Sequence, residues 1–265
     1  MVELDGARVL VTGAANGIGV AIVRAVVEAG AARVLLADLD LDGAQQVADE
    51  VRARGAQAVV RQVDVGEEAA VTAMVAAAEQ QLEGLDVVVS NAGVATDAGL
   101  EATADAWDRC WRINVLAHVH AARAALPGML ERGGGVLIHS CSAAGLLTMV
   151  GDAAYTVTKH AAVAFAEWLA VTYGDRGIQV HALCPQGVDT DLLRADGATA
   201  ERVVRASGAV LEPAAVADEV VAAVGAGRFL VLPHPEVADH LVGKCTDPDR
   251  WLAGMRAFAA RVNAS

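Results

Sequence analysis

Tyr155 and Lys159 stand four residues apart in the stretch YTVTK, and the 265-residue chain holds only one other tyrosine and one other lysine. On a helix, positions i and i+4 share a face, so this spacing sets an ammonium beside a phenol. A free phenol ionises near pH ~10, too high to take up a substrate proton readily at neutral pH, and a fixed cation favours the phenolate. The pair is therefore a candidate general acid and base. Taken alone, a packing tyrosine beside a solvated lysine explains the same two residues. Tyr173 has no such partner and is expected to pack near a helix end.

A second constellation is the stretch TGAANGIG, residues 12 to 19, with Gly13, Gly17 and Gly19 around Asn16 and Ile18. It joins a short apolar run to a segment of helical period. Glycines there let the backbone turn sharply and approach a ligand, and the helix N-terminus offers amides to a pyrophosphate. Asp38 closes the next apolar run, at the roughly twenty-residue offset where a carboxylate accepts from the ribose hydroxyls of an adenine dinucleotide. That carboxylate would repel a 2′-phosphate, and its neighbour Leu39 supplies no cation, which favours NAD over NADP. The competing explanations are glycines kept for helix-strand packing and an Asp38 that caps the following helix. No GK[ST] follows the glycines, which argues against a nucleoside triphosphatase.

Such residues need a scaffold that brings the ends of several strands together. Apolar runs alternate with helical-period segments: ARVLVTG (7–13), ARVLLAD (32–38), AQAVVRQVDV (56–65), LDVVVSNAG (85–93), GVLIHS (135–140), IQVHALC (178–184) and GRFLVL (227–232). Rich in Val and Leu and without strict alternation, these runs suit parallel strands buried on both faces, with helices as crossovers. The spacing predicts one long helix from about Thr103 to Leu130, a helix carrying YTVTK, and one opened by Pro213 at its first turn. The expected fold is α/β: a single doubly wound domain spanning 1–265, with a parallel sheet of about seven strands and helices on both faces.

Composition narrows the function. With 55% hydrophobic and 20% charged residues the chain can bury a large core, and its formal net charge of −13 disfavours nucleic acid as a partner. The start of the chain lacks a basic, apolar leader pattern and no run is long enough to span a bilayer, so the expected compartment is the cytoplasm. Cysteines 110, 141, 184 and 245 have no metal or CxxC spacing and read as reduced; with no HExxH pattern among the histidines, no metal site is expected.

Taken in order, TGAANGIG, Asp64-Val65, Asn91-Ala92-Gly93, Asn114, Ser142 and YTVTK resemble the classical short-chain dehydrogenase/reductase family from about Gly6 to Leu192. The resemblance implies a Rossmann fold in which the glycine stretch holds the cofactor pyrophosphate and Asp64 and Val65 contact adenine. It implies that Asn91, Ala92 and Gly93 steady the sheet beside the cofactor, with Asn91 alternatively only bracing backbone turns. It also assigns a catalytic set: Tyr155 as proton carrier, Ser142 to hold the reacting oxygen, Lys159 to assist the phenol and hold the nicotinamide ribose, and Asn114 to support a water chain. Pro185, Gly187, Val188 and Thr190 match the segment along the nicotinamide. Gln186 departs from the pattern, since many members have Gly there, and its side chain either faces substrate or caps a turn.

The activity implied is NAD-dependent interconversion of a secondary alcohol and a ketone. The alternatives are an NADP-dependent carbonyl reductase and a non-catalytic nucleotide-sensing or scaffold protein on the same fold. Ala144, Leu147, Val150, Gln186 and Leu192 are the candidate substrate residues, and with Ala143, Leu146 and Leu193 they form a wall with no obvious charged anchor. Arg194 is the nearest candidate for an anionic group, or else a solvated surface residue. A substrate loop is expected over about 190–212 and a C-terminal tail over about 233–265, whose Trp251 and Phe258 would cover a neighbouring subunit or the chain's own pocket. His139 is the substitute proton carrier if Tyr155 is not one. The apolar stretch 161–171, with Trp107 and Trp111, points to a homotetramer, or a homodimer.

Overall fold

The computed structural model describes residues 4–195 and 197–264, so Asp196 of the expected substrate loop and Ser265 of the expected tail lie outside the described residues. Seven strands form one wholly parallel sheet: β1 (Arg8–Thr12), β2 (Arg33–Asp38), β3 (Gln57–Gln62), β4 (Val87–Ser90), β5 (Gly135–Ser140), β6 (Ile178–Leu183) and, numbered β9 by its place in the chain, Leu230–Val231. Their spatial order is β3-β2-β1-β4-β5-β6-β9. The order reverses between β1 and β4, which opens a crevice at the carboxyl ends of those two strands, the place where ligands bind in such sheets.

Both faces of the sheet are covered, which is why the strands read as continuous apolar runs. In β1, Val9 and Val11 point into one core and Leu10 into the other, and all three are fully buried. The first core packs α1 (Gly17–Glu28), α2 (Leu41–Ala53) and α9 (Pro213–Ala226) through Ile22, Val23, Val47 and Val220. The second packs α3 (Glu68–Gln81), α5 (Ala117–Glu131) and α6 (Ala153–Tyr173) through Met74, Met129 and Leu169.

Two departures from the sequence-based layout matter for the site. The helix expected from Thr103 to Leu130 is α4 (Ala104–Trp111) followed by α5, with a π turn over Arg112–Leu116 between them. The extra residue of a π turn shifts the helix face locally and is a common feature of functional sites. Secondly, the expected loop and tail are mostly helical. They hold α7 (Asp191–Ala195), α8 (Gly197–Ser207), α10 (Glu236–Thr246) and α11 (Pro248–Ala264), plus a small parallel pair of β7 (Gly187–Val188) and β8 (Val210–Leu211). Among the described residues, no helix is long and apolar enough to cross a membrane.

Candidate active site

The glycine turn is shaped so that only glycine fits. Gly13 and Gly17 take positive φ values of 65° and 56°, and a Cβ on Gly19 would lie 1.8 Å from the Gly13 carbonyl oxygen. Asn91, at the end of β4, donates from Nδ2 to the carbonyls of Thr12 and Gly13 at 3.0 and 3.1 Å, and its Oδ1 accepts from the Ser140 hydroxyl at 3.0 Å. Its bracing role is thus explicit: it ties the ends of β1, β4 and β5 together. Asp38 is held at the end of β2 by the Ala15 amide (2.9 Å) on Oδ2 and the Asp40 amide (3.0 Å) on Oδ1. Asp40, not Asp38, caps α2, accepting from the Gly43 amide.

On the other side of the crevice, β5 runs into a tight turn at 143–145 that Ser142 caps by accepting from the Ala144 amide at 3.1 Å. With that lone pair engaged, the Ser142 hydroxyl proton is free to point outward. Lys159 is buried, and its Nζ donates to the Ser140 carbonyl at 2.8 Å and lies 5.6 Å from the centre of the Tyr155 ring. Burial lowers the ammonium's pKa, against the opposing pull of the nearby thiols of Cys141, Cys184 and Cys110.

Two further contacts set the position of Tyr155. Asp152 caps α6: its Oδ1 accepts from the Tyr155 amide and the Thr96 hydroxyl, both at 2.8 Å, and its Oδ2 from the Thr96 and Asp97 amides at 2.6 and 2.9 Å. This carboxylate has no role in the sequence reading, although an Asp three residues before the tyrosine is an ordinary N-cap signal. Asn114 sits in the π turn, where Oδ1 accepts from the Val94 amide (2.9 Å) and Nδ2 donates to the Val94 carbonyl (2.8 Å) and the Thr158 hydroxyl (3.1 Å). Both amide hydrogens go to protein groups, so only a lone pair on Oδ1 is left for the expected water chain.

These pieces border one cavity of about 900 Å³. Its walls include Gly13, Asn16, Gly17, Ile18, Asp38, Leu39, Asp64, Val65, Asn91, Ala92 and Gly93. Ser142, Tyr155, Lys159, Pro185, Gly187, Val188 and Thr190 line it too, as do Ala144, Leu147, Val150, Gln186 and Leu192. Gly19 and Asn114 do not line it; the first packs against the Gly13 carbonyl and the second lies behind Gly93. The glycine turn, where a side chain would fill the space, and the Asp38 carboxylate on the same cavity fit a nicotinamide dinucleotide. Among the described residues, no group of three or more His, Cys, Asp or Glu is placed to hold a metal ion.

The outer wall differs from the uncharged one expected. Arg109, Asp239, His240, Asp247 and Arg250 border it, with Trp251, Met255 and Phe258 from α11. Trp251 and Phe258 therefore cover the chain's own cavity. Arg109 comes from α4, but the others come from α10, α11 and the link between them, more than eighty positions beyond Tyr155, a separation at which sequence spacing carries no signal. Leu146 lies outside the lining, and Arg194 pairs with Asp189 and, at 3.0 Å, with Asp191. Gln186 lines the cavity and also donates from Nε2 to the Ser207 carbonyl at the end of α8 (2.9 Å), while its Oε1 is buried without a protein partner. His139 is not in the cavity wall. It stacks on His118 in the core, Nδ1 to Nδ1 at 3.1 Å, and burial pushes its pKa down to about 4 and that of His118 well below the usual value.

The family model for short chain dehydrogenases matches residues 7–201. The chain belongs to the short-chain dehydrogenase family, and is an oxidoreductase of the kind that works with a nicotinamide cofactor. It is 36% identical over 238 residues to 1-deoxy-11-beta-hydroxypentalenate dehydrogenase of Streptomyces exfoliatus, which covers 88% of this chain and 85% of the relative. It is 39% identical over 184 residues to 2-(S)-hydroxypropyl-CoM dehydrogenase 3 of Xanthobacter autotrophicus, covering 69% of this chain and 72% of that one. Among solved structures, a short chain dehydrogenase/reductase from Burkholderia phymatum in complex with NAD superposes with a TM-score of 0.85 at 28% identity, covering 94% and 96% of the two chains.

Proposed function

We propose that the protein is an NAD-dependent dehydrogenase that interconverts a secondary alcohol and a ketone on a small molecule of largely apolar body. The observation that carries this reading is one cavity lined by the Asp38 carboxylate together with Ser142, Tyr155 and Lys159. Asp38 accepts from the adenosine ribose hydroxyls and repels a 2′-phosphate, and the exposed Leu39 beside it brings no cation. Gly13, Asn16, Gly17 and Ile18 cradle the pyrophosphate, Asp64 and Val65 border the adenine, and Pro185, Gly187, Val188 and Thr190 flank the nicotinamide. Relatives named for hydroxypentalenate and hydroxypropyl-CoM support a hydroxyl-bearing substrate.

Bound NAD supplies the hydride acceptor. Tyr155 takes the hydroxyl proton, Ser142 donates a hydrogen bond to the reacting oxygen, and the Lys159 ammonium stabilises the phenolate and holds the ribose. Asn114 and Asp152 hold these groups in register. Ala144, Leu147, Val150 and Leu192 contact the substrate body. The whole of 1–265 acts as one domain, with 190–212 and 233–265 forming the substrate side.

We assign the protein to the cytoplasm on its four cysteines, which form no disulfide among the described residues. We further assign a homotetramer, in which α4 and α6 meet a second copy. Trp168 and Val171 on α6 are 56% and 87% exposed, a large apolar area to leave in water. Light scattering at micromolar concentration tests the assembly, and a monomer would refute it. The activity is tested by NADH formation from a panel of secondary alcohols, run in parallel with NADP. A protein that binds NAD tightly and oxidises none of them would instead be a nucleotide sensor or scaffold.

A further inference from the structure

The chain's other lysine lies outside the machinery described so far. Lys244, on α10, donates from Nζ to the carbonyls of Leu146 and Leu147 at 2.7 and 2.9 Å, and stands 3.4 Å from His160 Nε2. His160 Nδ1 is 2.9 Å from the Thr156 carbonyl, which can only accept, so the ring proton is assigned to Nδ1 and Nε2 is left to accept from the ammonium. The three ammonium hydrogens thus have three neutral acceptors. The ammonium also lies over the Trp251 ring, 5.3 Å from its centre.

The acceptors belong to the two segments that carry the reacting groups. Leu146 and Leu147 follow the turn capped by Ser142, and His160 follows Lys159 on α6. On the donor side, α10 and α11 present Asp239, His240, Trp251, Met255 and Phe258 to the outer half of the cavity. Among the described residues, Lys244 bonds these helices to the loop that follows Ser142, and the rim of the cavity is a place where that attachment has a consequence for binding.

Building on the dehydrogenase reading above, we propose that Lys244 is a positioning residue that pins α10 and α11 to the Ser142 loop and to α6, and thereby sets the affinity for bulky substrates. A small alcohol that reaches only Ser142 and Tyr155 does not depend on where α11 sits. A bulky alcohol that extends to Trp251, Met255 and Phe258 does, because its apolar contacts require those helices to be held in place.

Lys244→Met keeps an unbranched apolar side chain and removes the ammonium, while Lys244→Arg restores a cation with several donors. With NAD-loaded protein, decahydro-2-naphthol and 2-butanol serve as the bulky and the small alcohol. Lys244→Met is expected to raise KM for the bulky alcohol about tenfold and leave KM for 2-butanol, both kcat values and the NAD dissociation constant within about twofold. Lys244→Arg is expected to recover much of the loss. An equal KM change for the two alcohols overturns the proposal. Hydrogen exchange of the NAD-loaded proteins reads the attachment without turnover: Lys244→Met should speed exchange over 236–258 and 143–150 and leave the sheet unchanged. Unchanged exchange in those two segments also overturns it. An unmodified protein that binds NAD and oxidises neither alcohol counts against the dehydrogenase reading, and the exchange comparison then decides the role of Lys244 alone.

Discussion

Asn114 Nδ2 lies 3.1 Å from the hydroxyl of Thr158, one residue before Lys159, and so links the π turn between α4 and α5 to the helix turn that carries Tyr155 and Lys159. The same amide closes on both backbone groups of Val94. Three segments meet at one side chain.

Removing that side chain should cost stability as well as rate. Asn114→Ala leaves the Val94 amide without its partner and the Val94 carbonyl with only the Cys110 thiol at 3.8 Å, at a cost of about 1–3 kcal/mol for a polar group left unsatisfied. Thr158→Val keeps the volume and the Val94 contacts, and should cost less in urea-induced unfolding than Asn114→Ala. Equal losses in the two variants would place the stabilising link at Thr158 and not at Val94.

Tyr155→Phe separates chemistry from binding. The ring and its packing remain, so NAD titration should give a near-normal dissociation constant, while alcohol oxidation falls by roughly 10²-fold or more. Lys159→Ala should impair both, since it removes the cation beside the phenol and leaves a buried void under Ser140. Full turnover in Tyr155→Phe would end the assignment, and His139 does not inherit it, because its ring faces His118 and Phe165 in the core and not the cavity.

Cofactor choice should respond to the end of β2. Asp38→Ala together with Leu39→Arg removes the carboxylate and adds a cation where a 2′-phosphate would sit, so the ratio of kcat/KM for NAD to that for NADP should fall by at least about tenfold. Equal kcat/KM for both cofactors in the unmodified protein would show that Asp38 does not govern the ribose.

Acid stability should carry the mark of the buried histidine pair. His139 titrates at about 4 in the fold against 6.5 free, so between those values the unfolded chain binds a proton that the folded chain refuses. The contribution is therefore fully present above pH 6.5 and is lost as pH falls toward 4, by on the order of 3 kcal/mol. His118, held well below its usual value by burial and by the nearby His139 and Lys159, acts in the same direction. Urea unfolding at a series of pH values should show this slope, and His139→Phe should flatten it; an unaltered slope in the variant would mean that other groups set the acid limit.

What the amino-acid sequence determined on its own was everything encoded by short spacing. The i, i+4 pair of Tyr155 and Lys159 and the glycines of the first turn are local patterns whose chemistry follows from helix geometry and backbone freedom. The Val-rich strands announced a sheet buried on both faces, and the sheet is there. The tertiary structure decided what depends on contacts between residues far apart in the chain. Asp152 reaches back to Thr96, Asn91 braces Gly13, and Asn114 closes on Val94 within a π turn that an unbroken helical period hides. The outer wall of the cavity comes from α10 and α11, whose residues look like any amphipathic helix until Lys244 is seen bonded to Leu146 and Leu147. A side chain's own sequence neighbourhood fixes its helix or strand, but its partners across the fold are chosen by packing, and Lys244 meets Leu146, Leu147 and His160 only there.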